Sequence, residues 1–146
     1  MADYFEQIVD KTVEISASLG RVWHVLTDTD SIAQWMNGAR VESQWNDGSE
    51  IIFTGTMPNF NKKYRDHGTV MAVEREKFLQ YSLWSQMSLR TDIPENRTIV
   101  TLILDELESK TILTVRHENF RSDVEYKHAN FFWTIALHLI KELSEQ

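Results

Sequence analysis

His24, His67, His117, His128 and His138 carry the widest chemical repertoire in this chain, because it has no cysteine. Without cysteine, disulfides, thiolate catalysis and Cys-ligated zinc are excluded. A histidine metal site needs clustered ligands, as in His-Glu-x-x-His on one helix face. His117-Glu118 runs on into Asn119-Phe120-Arg121, so that motif is missing. His128 and His138 sit about 80° apart on a helical wheel, too far to share an ion without a third ligand. No metal and no cofactor are expected. Gly20, Gly38, Gly48, Gly55 and Gly68 are isolated, so no phosphate-cradling loop exists, and no Gly-x-Ser-x-Gly elbow supports hydrolase chemistry.

His128 lies among Val124, Ile135 and Leu139 on the predicted C-terminal helix. A buried imidazole requires a hydrogen-bond partner. Two roles remain open: a structural histidine bonded to the sheet, or a polar group orienting a ligand's carbonyl or hydroxyl in a pocket. Acid–base work is a third, with no partner residue in evidence. His117, beside Glu118 at a strand end, is expected to tie that end to the helix start. Trp35, Phe53, Trp84, Phe131 and Phe132 are candidate pocket walls, with core packing as the alternative for each. Strand register decides between the two, since a one-residue slip reverses every side chain. The charged stretches Asp92/Glu95/Arg97 and Lys62/Lys63/Tyr64/Arg65 read as solvated loops or as a pocket rim.

These side chains need elements to hold them. Residues 7–16 alternate, with Val9, Val13 and Ile15 opposite Thr12 and Glu14, which predicts a half-buried strand. Ser18 caps a short helix to about Thr27, and Asp30 or Ser31 caps a second through Trp35. Three hairpins follow. The first pairs 41–45, with Val41 and Trp45 on one face, to 51–57 across Asn46-Asp47-Gly48-Ser49. The second pairs 68–75 to 78–84, and the third pairs 97–107 to 110–120. Residues 58–66 and 87–97 read as loops. About seven strands in hairpin order imply an antiparallel sheet.

From Ser122 or Asp123 to about Leu143 the pattern is helical, roughly 30 Å long at about 1.5 Å per residue. Ala129, Trp133, Ala136, Leu137, Ile140 and Leu143 form one stripe. Val124, His128, Phe131, Phe132, Ile135 and Leu139 form an adjoining one, and Lys127, Asn130, Thr134 and Lys141 mark the polar strip. A helix resting on one surface needs only about a 100° apolar stripe. This arc is wider, so the helix is expected to be enclosed on several sides; cover by a dimer partner is the alternative. The fold expected is α+β: a curved antiparallel sheet of six or seven strands wrapped around a long C-terminal helix, with two short helices after the first strand, in one domain over residues 1–146.

The net charge is −7, with Lys and Arg scattered. Nucleic-acid binding needs a basic footprint, and none is visible. Residues 1–10 carry Asp3, Glu6 and Asp10 and lack the basic and apolar regions of a secretion signal. No apolar run approaches the roughly 20 residues of a membrane span. A soluble cytoplasmic protein is expected.

The order of motifs resembles a known family. Val13-Glu14-Ile15-Ser16-Ala17-Ser18, Val22-Trp23, Leu26-Thr27-Asp28, Ile32 and Trp35 resemble the opening of the START-related helix-grip (SRPBCC) superfamily. The nearest branch is that named after the activator of the 90-kDa heat-shock protein ATPase. Lys110 to Phe120 resembles that family's last hairpin, and Phe132-Trp133, Leu137 and Ile140 resemble its closing helix. Ser18 stands where Pro is usual. Asn119 stands where Gly is common, a substitution compatible with left-handed backbone. Phe132 stands where Gly often precedes the Trp, and its ring would shrink the pocket. The resemblance implies a helix-grip fold and three kinds of function. A carrier of a small apolar or aromatic ligand would need a mostly apolar cavity, with His128 among its polar groups. A stress-related or co-chaperone-like domain, binding a chaperone or another protein, would need an exposed apolar patch, which a homodimer would also bury. A cyclase- or dehydratase-like enzyme would need a perturbed acid or base in the cavity.

Overall fold

The alternation at the N-terminal end produces β1 (Val9–Ile15), with Val9 and Ile15 buried. In the computed structural model, which describes residues 7–57 and 61–146, α1 (Leu19–Thr27) follows. Ser18 Oγ accepts the Arg21 N–H at 3.1 Å as its N-cap. The cap of α2 (Thr29–Trp35) falls at Asp28, not at Asp30 or Ser31. The extended backbone of Asp28 turns its carboxylate back onto the Ser31 N–H, 3.0 Å away.

The remaining strands are β2 (Arg40–Ser43), β3 (Glu50–Met57), β4 (Lys62–Glu74), β5 (Phe78–Leu83), β6 (Thr98–Leu107) and β7 (Lys110–Glu118). They form one curved antiparallel sheet in the order β1-β7-β6-β5-β4-β3-β2. The three hairpins expected are present, joined by β3–β4 and β5–β6 pairing, with β1 alongside β7. The helix α3 (Asp123–Ser144) completes the α+β helix-grip arrangement. It is capped by Ser122, whose Oγ accepts the Glu125 N–H.

Two expectations about the strands are corrected. Residues 62–66, read as loop, belong to β4, because β3 offers them a continuous partner from Met57↔Lys62 to Ile51↔Gly68. Of the rest of that expected loop, Asn61 is in a turn with φ of 48°, and residues 58–60 lie outside the described residues, as does the N-terminal segment 1–6. Trp45 leaves β2 and enters the turn with φ of 56°.

A register shift between Val70 and Ala72 adds a residue to β4 and bends it. At Gly68, β4 crowds β5 so closely that a Cβ would lie 1.7 Å from the Ser82 carbonyl oxygen. Both features lie at the β4–β5 pairing.

The core runs from β1 through α1 and α2 to the inner stripe of α3, where Trp133, Ala136, Leu137 and Ile140 are buried. The expected enclosure of α3 is partial. Of its second stripe, Phe132 and Leu139 pack against the core, whereas Val124 is 61%, Phe131 69% and Ile135 45% exposed. The wide apolar arc is therefore a buried stripe beside one that is covered at Phe132 and Leu139 and open at Val124, Phe131 and Ile135. Among the described residues no helix is long and apolar enough to cross a membrane.

Candidate functional site

Along β7, Thr111, Leu113 and Val115 point inward and are buried, and His117 is the next residue on that face. Opposite stands Trp133, on the buried stripe of α3. The Trp133 indole N–H donates to His117 Nδ1 at 3.1 Å, tying the strand end to the helix. The Phe120 ring packs against the imidazole with centroids 4.8 Å apart. His117 Nε2 is buried and has no hydrogen-bond partner. Burial lowers the His117 pKa to about 3, so the ring is neutral at physiological pH.

This imidazole forms part of a cleft of about 370 Å³ between the first turns of α3, the inner faces of β5 to β7, and the segment after β5. Leu83, Val100, Phe120, Ala129, Phe132 and Trp133 make its wall mostly apolar. Asp66 also faces it. Burial raises the pKa of this carboxyl, although Asp66 accepts hydrogen bonds from the Gln86 N–H and the Ser85 side chain. Tyr81 is buried in the wall, and desolvation pushes its hydroxyl pKa up.

The segment from Trp84 to Arg97 closes one side and is tied down at several points. Arg90 forms an ion pair with Glu125 in the first turn of α3. The Trp84 indole N–H donates to the Arg90 carbonyl at 3.0 Å. Asn119, with φ of 71°, donates from its side-chain amide to the carbonyls of Arg97 at 2.7 Å and Glu95 at 3.2 Å. On the outer face Asp92 accepts from Arg97 at 3.0 Å and pairs with His67 Nε2 at 2.8 Å. The charges read as solvated loop thus include a bonded cluster.

Of the six residues expected at the pocket, His128 and Phe132 line this cleft, His128 from an exposed position at its mouth. The other four stand elsewhere. Trp35 is in the core, its indole N–H bonded to the Val25 carbonyl and its ring 6.1 Å from that of Trp133. Phe53 is buried with its ring 5.9 Å from Tyr81. Trp84 anchors the closing segment. Phe131 faces outward, because one helical step of about 100° separates it from Phe132. His117 was read only as a structural tie. The inward parity of β7 already placed it opposite the helix, but its unpaired nitrogen was visible only with Trp133 in place. Among the described residues no group of three or more His, Asp or Glu side chains could hold a metal.

A family model described as activator of Hsp90 ATPase homolog 1-like protein matches residues 16–145. No curated protein sequence matches the chain. Several solved structures share the fold. A Cytophaga hutchinsonii protein solved in solution is 29% identical, with 95% of this chain and 94% of that chain covered and a TM-score of 0.79. A Mesorhizobium loti crystal structure is 20% identical over 94% and 96%, with a TM-score of 0.74. The Aha1 dimer from Colwellia psychrerythraea, a solution structure, is 18% identical over 95% and 96%, with a TM-score of 0.72.

Proposed function

The chain belongs to the activator of Hsp90 ATPase homolog 1-like protein family, and from that premise we propose that it binds a small apolar or aromatic molecule in the cleft between α3 and β5–β7. The observation that carries this reading is the cleft itself: about 370 Å³, walled mostly by apolar side chains with a few polar groups among them. Ligand sites generally combine such walls with sparse orienting groups, in volumes of about 300–1,000 Å³. Phe132 supplies wall area and His128 a polar group at the mouth. Trp35 and Phe53 act one layer back, behind Trp133 and Tyr81. Trp84 holds the closing segment through Arg90.

The test is binding of the neutral fluorescent probe N-phenyl-1-naphthylamine to the wild type and to Ala129→Trp. Ala129 is half-buried in the wall, so the indole takes up cleft volume; circular dichroism of the variant checks that the fold is kept. Saturable one-to-one binding by the wild type is expected, weakened about tenfold or more in the variant, a change of about 1.4 kcal/mol. Equal binding by both proteins would refute the reading.

A second reading rests on the uncovered stripe of Val124, Phe131 and Ile135. Exposed apolar patches mark interaction surfaces, and the Colwellia psychrerythraea relative is a dimer. In this reading α3 docks on a second copy of the chain or on another protein such as a chaperone, and the cleft is secondary.

A further inference from the structure

We propose that the Nε2–H of His117 is the polar anchor of the cleft, and that the ligand is a neutral molecule presenting a hydrogen-bond acceptor such as a carbonyl or ether oxygen. This rests on the binding reading above and specifies what the cleft selects.

The argument begins with the tautomer. An indole N–H only donates, so the nitrogen facing Trp133 Nε1 must be the acceptor of the imidazole. In a neutral ring the proton then sits on the other nitrogen, Nε2. Burial keeps the ring neutral, as its lowered pKa reflects. Nε2–H is therefore a donor, buried and without a partner in the protein. An unmatched buried donor is unfavourable, and an acceptor brought by a ligand removes the penalty.

The same arrangement excludes other roles. The lone pair of Nδ1 is engaged by Trp133 and Nε2 carries a proton, so the ring offers no free base. It carries no positive charge with which to hold a carboxylate or phosphate. The carboxylates lining the cleft, Asp66 and Glu125, repel anions further, with Glu125 offset by its Arg90 partner. A neutral acceptor is what remains. Nε2 has almost no surface open to solvent, so the acceptor reaches it by displacing a neighbouring side chain. Phe132, half-buried in the same wall, has solvent on one side into which it can turn.

The experiment uses two probes of nearly equal shape, benzophenone and diphenylmethane, which differ by the carbonyl. Each is titrated as a competitor of N-phenyl-1-naphthylamine on the wild type and on His117→Phe. The ratio of the two affinities is expected to favour the ketone about tenfold more in the wild type than in the variant, the effect of one buried hydrogen bond. In the wild type, NMR should show the His117 Nε2–H resonance shifting downfield with benzophenone and unmoved by diphenylmethane; this decides the matter if the variant does not fold. If both probes bind, the ratio is unchanged by the substitution and the resonance is unmoved, the anchor is overturned while cleft binding stands. If the dye binds the wild type and benzophenone does not displace it, the anchor is overturned while cleft binding stands; if the dye binds the wild type and Ala129→Trp equally, cleft binding falls and the anchor with it.

Discussion

The last turns of α3 bury Ala136, Leu137, Ile140 and Ser144, and this end of the helix bonds to β1 through Lys141 and the Glu14 carbonyl and to α1 through Arg21 and the Leu143 carbonyl. The first turns hold Glu125, His128, Ala129 and Phe132 along the cleft, where the opposite cover is the segment 84–97. The same sheet lies behind both ends, and the difference comes from what closes them. Two short amphipathic helices fill one end with interdigitating side chains. A stretch of loop, held by polar ties from Arg90, Asn119 and Trp84, spans the other and leaves room beneath it. In this molecule the stable end and the candidate binding end are the two halves of one helix.

The largest expected effect lies at the sealed end. Ile140 is fully buried, and Ile140→Ala should cost about 3–4 kcal/mol in chemical denaturation, while leaving probe affinity in the cleft within about twofold. A loss of affinity on the scale of the lost stability would show that the two halves are not separable.

The next effect is at the boundary. His117 has a folded pKa of about 3, below the ordinary value of about 6.5 in an unfolded chain. As pH falls through that window the unfolded chain takes up the proton and the folded one does not. The stability contributed by the neutral ring is therefore complete above about pH 6.5 and lost progressively toward pH 3. Between pH 7 and pH 4 the loss should be on the order of 3 kcal/mol. Asp66, whose folded pKa is raised by burial, acts with the opposite sign and favours the folded state as pH falls. Subtracting the pH profile of His117→Phe from that of the wild type cancels it, and parallel profiles would contradict this burial.

The smallest effect belongs to the outward stripe. Phe131→Ser should change stability by no more than about 0.5 kcal/mol. Under the docking reading it shifts sedimentation toward a smaller species, whereas under the cleft reading sedimentation and probe binding are both unchanged.

Much of the architecture was legible because strand alternation and turn chemistry are local. Val9/Val13/Ile15 against Thr12/Glu14, and Asn46-Asp47-Gly48-Ser49 between two apolar runs, mark their elements without tertiary help. The stretch 62–66 was not legible, because its strand character comes from the neighbour β3 and not from its own polar residues. The partial enclosure of α3 is not legible in the sequence, because a wheel reports which residues are apolar and not which are covered. The site was less legible than the fold. His128 and Phe132 lie on the helical face that the wheel picked out, whereas Trp35 and Phe53 stand behind the wall, and no one-dimensional pattern separates a first layer of rings from a second. His117 needed a partner distant in the sequence before its second nitrogen acquired a meaning.

Gly68 carries one more consequence. The Ser82 carbonyl oxygen occupies the place where a side chain would begin, so even alanine would wedge β4 away from β5 and flatten the bend behind the cleft. Leu83, Ala129 and Phe132 are half-buried in the wall and leave more room for exchange than the buried core residues beside them. The close approach of β4 to β5 rests instead on a missing carbon atom. Under the binding reading, a screen for altered ligand preference should randomise Leu83, Ala129 and Phe132 while leaving Gly68 untouched.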